Sequence, residues 1–338
     1  MGGDYAMITI KDIAKYCGVS VSTVSYALSN NSTISEKTKQ RVREAAKALN
    51  YVPNSNARSL KQKSTHKIGV FVPGFQGPIH PTILAGIAHI LRNIDEKYNM
   101  IVTFADEDMS LIKQRSIDLA IIMDAKTSKD LIVELSDYMP IITFDQDIEH
   151  ASIYNTFVDN TKAMMNLTNL MIKKGCRRIG YVLGSSSSYH NELRFTGYKE
   201  GLKENGIPFN NDLVYNADAF TEFKGQETIS ILLENLDELP FDGLICANDE
   251  LAIGALQALK EHNYQVPKDC LIAGFDDIEK TLYVHPNLTT VKVDWFSYGK
   301  QIAELALEIL NKKNPNQSLT IHTTIIERES TSNLTTSK

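Results

Sequence analysis

The sequence predicts a small all-α domain followed by a larger α/β body, built as two lobes with parallel sheets. Three observations predict it. Residues 9–50 hold three short segments with helical spacing. From Lys67 onward, short apolar runs alternate with longer helical segments. The charge also changes sign: residues 1–65 carry ten Lys/Arg against four Asp/Glu, a net of +6, which leaves −12 on residues 66–338 of a chain with net −6. A basic head on an acidic body concentrates phosphate attraction at one end. The alternative is a solvated basic helix face with no partner.

The 338 residues suffice to bury sizeable cores. Apolar residues at 43% and charged residues at 22% are ordinary for a globular protein. No apolar stretch is long enough to span a bilayer, and MGGDYAMITIKD lacks the basic start and apolar stretch of a signal peptide. A cytoplasmic protein without membrane contact is expected. Met7 could equally be the natural start. Cys17, Cys176, Cys246 and Cys270 are far apart in sequence, so they read as buried small apolar residues rather than metal ligands or disulfides.

In the head, Thr9-x-x-Asp12 reads as an N-cap followed by a first-turn acid. Ile10, Ile13, Ala14 and Cys17 then recur at i, i+3, i+4 and i+7, one face of a helix. Gly18 turns the chain. Ser20 caps a second helix, in which Val24 and Leu28 share a face. Asn30-Asn31-Ser32 is a loop. Ser35 caps a third helix with the stripe Val42, Ala45, Ala46 and Leu49, and Pro53 is read as its stop. Residues 54–65, NSNARSLKQKST, form a polar, basic linker.

In the body, apolar runs fall at 68–72, 100–104, 119–123, 141–144, 179–183, 243–247 and 271–275. Helical spacing fills 82–97, 160–174, 194–205, 224–236 and 249–262. This alternation implies parallel sheets covered on both faces. Seven or more such units exceed one sheet, so two lobes are expected, with a frayed tail at 331–338.

The run TIKDIAKYCGVSVSTVSYALSNNSTISEKTKQRVREAAKALNYVPN, continued through NARSLKQKSTHKIGVFVP, resembles the LacI/GalR family of bacterial transcription regulators. The resemblance implies a helix-turn-helix domain at 1–53, a hinge at 54–65, and a periplasmic-binding-protein-like ligand-binding and dimerisation domain at 66–330, its lobes exchanging chain near 160, 293 and 325. A helix fits the major groove of duplex DNA, where outward side chains reach base edges. With Val24 and Leu28 facing the core, Val21, Ser22, Ser25 and Tyr26 face outward. By resemblance Val21 and Ser22 read bases. The family commonly has an arginine where this chain has Tyr26, so the bases opposite it differ or Tyr26 simply packs on its own helix. Thr9, Ser20, Thr23 and Asn30 suit phosphate contact, although capping alone explains Thr9 and Ser20.

NSNARSLK (54–61) is too short to hold a helix by itself. By resemblance it folds on DNA, bringing Asn54, Ala57 and Arg58 to the groove, with Leu60 as a wedge between base pairs. The alternative is a plain linker.

Ligands of open α/β sheets bind beyond the carboxyl ends of strands. Asp145, Gln146, Asn248, Asp249 and Asp276 directly follow apolar runs. By resemblance Arg194 matches the arginine of an R-x-x-G pattern, Asn248 and Asp249 an A-N-D segment, and Asp276 a G-[YF]-D segment, while His80, Phe220 and Trp295 occupy further pocket positions. Asp249 reads first as the N-cap of helix 249–262 and second as a ligand contact; His80 and Trp295 are open between pocket and ordinary roles. Carboxylates, amides and an arginine fork suit vicinal hydroxyls, and aromatic faces suit sugar rings. The expected partners are therefore double-stranded operator DNA, a second copy of the chain, and a sugar or sugar-phosphate effector that relieves repression. A purine co-repressor or a phosphocarrier protein is the alternative controller, and a sugar-binding transport protein the alternative class. No G-x-S-x-G, HExxH, Walker A or GxGxxG occurs, so no catalytic residue, metal or cofactor is expected. EDMSLIKQRSID between the second and third runs leaves room for only a short helix. No leucine heptad follows Arg328, so no tetramer is expected.

Overall fold

The computed structural model describes residues 8–29, 32–51, 64–75, 77–95, 97–105, 109–124, 126–144, 146–186, 188–236 and 238–332. Asn30, Asn54, Ala57, Arg58, Leu60 and Asp145 lie outside the described residues, as do most of the hinge and the tail. The chain forms two compact units, Met1–Thr65 and His66–Lys338.

The first unit holds α1 (Ile10–Cys17), α2 (Val21–Leu28) and α3 (Glu36–Ala48). Each starts on the cap that the sequence marks. The Thr9 amide and hydroxyl both donate to the Asp12 carboxylate, at 2.8 and 2.7 Å. Ser20 Oγ accepts from the Thr23 amide at 3.1 Å, and Ser35 Oγ from the Thr38 amide at 3.3 Å. Such caps stabilise a helix by about 1 kcal/mol each. Gly18 ends α1 at φ 60°, ψ 37°, so that the Val19 amide donates back to the Ala14 carbonyl at 3.0 Å. Asn50 does the same for α3 at φ 50°, with Tyr51 N–H donating to Ala46 at 2.8 Å. The left-handed residue Asn50 therefore ends α3, ahead of Pro53. Ile13, Ala14, Cys17, Val24, Ala27, Val42, Ala45 and Ala46 form the core, with Ile10, Leu28 and Leu49 at its edge.

In the second unit, the first lobe contains β1 (Lys67–Val72), α4 (Ile79–Arg92), β2 (Asn99–Phe104), α5 (Ser110–Lys113), β3 (Leu119–Ile122), α6 (Lys129–Ser136), β4 (Ile141–Phe144) and β5 (Ile153–Val158). The chain then enters the second lobe, with α7 (Asn160–Lys173), β6 (Ile179–Leu183), α8 (Tyr189–Glu204), β7 (Val214–Asn216), α9 (Glu222–Glu234), β8 (Gly243–Cys246), α10 (Asp249–Glu261), β9 (Leu271–Asp276) and β10 (Thr289–Lys292). It returns through α11 (Trp295–Leu310) and β11 (Ser318–Ile321), and β12 (Thr324–Ile326) crosses back. The sheet orders are β11-β5-β4-β3-β1-β2 and β12-β10-β9-β8-β6-β7. Pairing is parallel except for β10 with β12. The helix before β3 is a single turn, as the short segment there implied.

Strands β5, β7, β10, β11 and β12 and helices α6 and α11 go beyond the apolar runs. Strand β5 shows why. Its Asn155 and Thr156 are buried, and their side chains bond to Ile148 and Thr143. Satisfied polar groups can occupy a buried strand, but they break its hydrophobic signature. Helix α11 packs on α4 at a glycine contact: a Cβ on Gly299 would lie 2.1 Å from the Ile83 carbonyl oxygen. All four cysteines are buried. Burial pushes the Cys176 and Cys270 thiols up to about 12, which leaves them unreactive packing groups.

Candidate functional site

The first unit exposes the outer face of α2. Val24 and Ala27 are buried beneath it, whereas Val21, Ser22 and Tyr26 are exposed and Thr23 and Ser25 half-buried. The Ser20 hydroxyl bonds to those of Ser22 and Thr23, both at 2.8 Å, so the helix start presents a connected set of hydroxyls. Such groups can donate to phosphate oxygens and can donate to or accept from base edges. Thr9 serves its capping box at the start of α1.

The second unit holds a cavity of about 390 Å³ where the carboxyl ends of both sheets face each other. Pro73 follows β1, Asp124 follows β3, Phe144 ends β4, Ser185 follows β6, Asn248 follows β8 and Asp276 ends β9, and all six line it. This is where open parallel sheets leave a crevice.

Arg194, on α8, organises the floor. Its Nε donates to Asn160 Oδ1 at 2.8 Å, Nη1 to the Ala247 carbonyl at 2.7 Å, and Nη2 to Asp276 Oδ1 at 3.1 Å. The guanidinium lies 3.7 Å above the Phe275 ring centroid. Three of its five N–H bonds are thus used within the described residues, and the plane of the group is fixed. Asp276 ends β9 at φ 112°. Burial raises its carboxyl pKa, while Arg194 and then His190 oppose that rise. Asn248 caps α10 through its Oδ1 to the Leu251 amide at 3.0 Å, and its Nδ2 donates to the Phe220 carbonyl at 3.3 Å. Phe220 covers Gly184, where any Cβ would clash with the ring.

Phe144, His190 and Trp295 form an aromatic wall. The Phe144 ring centroid is 5.1 Å from that of His190 and 6.3 Å from that of Trp295. Trp295 is buried, and its indole Nε1 has no hydrogen-bond partner among the described residues. Burial lowers the His80 pKa, with neighbouring His190 as the second cause and Asp124 opposing. Glu250 is raised by burial, then by Asp276 and Glu222.

His80, Arg194, Phe220, Asn248, Asp276 and Trp295 therefore meet in one cavity. Gln146 and Asp249 do not line it. Gln146 is buried away from the cavity, its Nε2 donating to the Thr127 carbonyl at 3.0 Å. Asp249 is not the cap either, because Asn248 is. The Asp249 carboxylate accepts from Thr290 Oγ1 at 2.6 Å and from the Ile278 amide at 3.0 Å, tying α10 to the turn beyond β9 and to β10. Asp124, Lys126, Phe144, His190 and Glu250 were missed. Asp124 follows the run at 119–123 just as Asp276 follows 271–275, so the same rule applied to that run finds it.

Residues 9–54 match the bacterial regulatory proteins of the lacI family, and residues 168–331 match the periplasmic binding protein-like domain. The HTH-type transcriptional regulator RegA of Clostridium saccharobutylicum is 32% identical over 338 residues, covering 96% of this chain and 99% of RegA. Among solved structures, a LacI family transcriptional regulator from Enterococcus faecium with bound ribose is 26% identical, with TM-score 0.69, over 79% of this chain and 99% of that one. The lac repressor dimer bound to operator and the anti-inducer ONPF shares the fold at TM-score 0.80 and 21% identity, over 96% of this chain and 99% of that one. A trihelical unit with an exposed second helix, followed in one chain by a two-lobed α/β body whose cleft mixes polar and aromatic side chains, defines a DNA-binding transcription regulator. The chain belongs to the lacI family of bacterial regulatory proteins.

Proposed function

We propose that the chain is a repressor that grips operator DNA as a homodimer and releases it when a carbohydrate or carbohydrate phosphate fills the cleft. The observation that carries this reading is the cavity itself: a fixed Arg194–Asp276 pair and Asn248 at the floor, beneath the Phe144, Phe220 and Trp295 rings. Polar groups of both signs suit vicinal hydroxyls, and ring faces suit the apolar patches of a sugar. Val21, Ser22, Thr23, Ser25 and Tyr26 are the proposed base- and phosphate-facing residues, with Thr9 and Ser20 beside them. Two such heads, one helical turn apart, fit a near-palindromic site. The ligand acts through its differential affinity for two arrangements of the dimer. The protein works on the chromosome in the cytoplasm and turns over no substrate.

Thermal-shift screening of the full chain against sugars, sugar phosphates and purines tests this. A sugar-class hit that also weakens operator binding supports it. A purine hit that strengthens operator binding replaces it with a co-repressor reading.

A further inference from the structure

We propose that the effector carries an acidic group, a carboxylate or a phosphate, and that this group sits in the corner of the cleft bounded by His80, Lys126 and His190. The inference rests on the reading of the cleft as the effector site, and it names the class of ligand.

These three side chains come from separate elements. His80 lies in the first turn of α4, Lys126 between β3 and α6, and His190 in the first turn of α8 on the opposite lobe. All three line the same cavity. The imidazoles are close enough that the His190 charge disfavours protonation of His80, which burial already holds below 6.5. Burial and the neighbouring His190 thus disfavour a proton on His80. The Lys126 ammonium has no ion pair or hydrogen bond among the described residues; only its backbone amide is engaged, with Asp124. The buried Trp295 N–H adds a donor without an acceptor.

The cleft also holds acids. Asp276 is bonded to Arg194 at 3.1 Å. Glu250 is pushed toward its neutral form by burial and by Asp276. Asp124 faces His80 and accepts the Lys126 amide. What remains is the Lys126 ammonium, the Trp295 N–H and the His80 imidazole around a space walled by Phe144 and Trp295. An anion there favours the protonated form of His80, against the burial that disfavours it, so His80 takes up a proton as the anion binds.

The test is calorimetry on the full chain with matched sets: an aldohexose, its uronate and its 6-phosphate. Each is measured near pH 6 and near pH 8, in two buffers of different ionisation heat. The uronate or the phosphate should bind about tenfold or more tighter than its parent near pH 6. It should take up a proton, and its advantage should shrink near pH 8. Whichever acid wins identifies the source of the charge. His80→Gln should remove the proton uptake and bring the acid-to-parent ratio toward one. Lys126→Met should lower the ratio while the uptake persists. A neutral parent that binds as tightly as its acid, or acid binding without proton uptake, overturns the inference while leaving the carbohydrate reading intact. If no member of any set binds and Trp295 emission is unchanged, the carbohydrate reading fails and this inference falls with it.

Discussion

Arg194 and Asp276 form an ion pair at 3.1 Å with both side chains almost fully enclosed, 5% and 2% exposed. Arg194 also holds Asn160 at the entry to the second lobe and the Ala247 carbonyl at the end of β8. One side chain thus ties together the floor of the cleft and the start of a lobe crossover. Removing one partner of a buried pair leaves an unpaired charge, which costs about 3–5 kcal/mol. Arg194→Met should lower stability in urea by that order, and Arg194→Met combined with Asp276→Asn by less. Equal losses in single and double variants would show that the pairing is not what Arg194 contributes.

Gly299 and Gly86 set how closely α11 and α4 approach. A Cβ on Gly299 meets the Ile83 carbonyl at 2.1 Å and must push backbone, not a flexible side chain. Gly299→Ala should destabilise the body by about 1–3 kcal/mol, read as a lower urea midpoint. An unchanged midpoint would mean that the two helices are not in close contact.

Asp249 should make stability fall as pH rises. Burial, followed by the Asp276 charge, raises its carboxyl well above the usual 3.8. The folded protein therefore keeps a proton that the unfolded chain has released. This stabilisation is complete below the unfolded pKa of about 3.9 and is lost as pH rises through the raised folded value. Urea midpoints measured upward from about pH 4 should show this slope, and Asp249→Asn should flatten it. A wild-type slope retained in Asp249→Asn assigns the proton to another group.

Tyr26 stands exposed on the α2 face where an arginine is common in the family. Tyr26→Arg should change which base is preferred opposite it, since an arginine fork discriminates guanine by about 1–3 kcal/mol. Sequence selection with both proteins checks this, and identical selected sites would remove Tyr26 from base reading.

The head was legible almost residue by residue, because its caps and apolar stripes are local signals. Thr9, Ser20 and Ser35 each begin a helix, and Ile13, Val24 and Val42 are fully buried. The body's strands were legible where they are uniformly apolar, as in Leu119–Ile122, and not where Asn155 and Thr156 satisfy each other's surroundings inside β5. In the cleft, position after a strand selected Asp276 and Asn248 correctly as lining residues, but could not tell them from Asp249, whose side chain turns back into the fold. His190 and Lys126 follow no strand directly, and only the meeting of two lobes brings them to the cavity.

Ligand in the cleft is proposed to set the grip of the α2 face on duplex DNA. Fluorescence anisotropy of a selected operator, titrated with full chain at fixed salt while Trp295, the sole tryptophan, reports ligand in the same cuvette, tests it most directly. Saturating ligand should shift operator affinity about tenfold or more, and operator should shift ligand affinity by the same factor. Val21→Asp should abolish duplex binding while the Trp295 response to ligand persists. Ligand that saturates the Trp295 signal and leaves operator affinity unchanged would contradict the account.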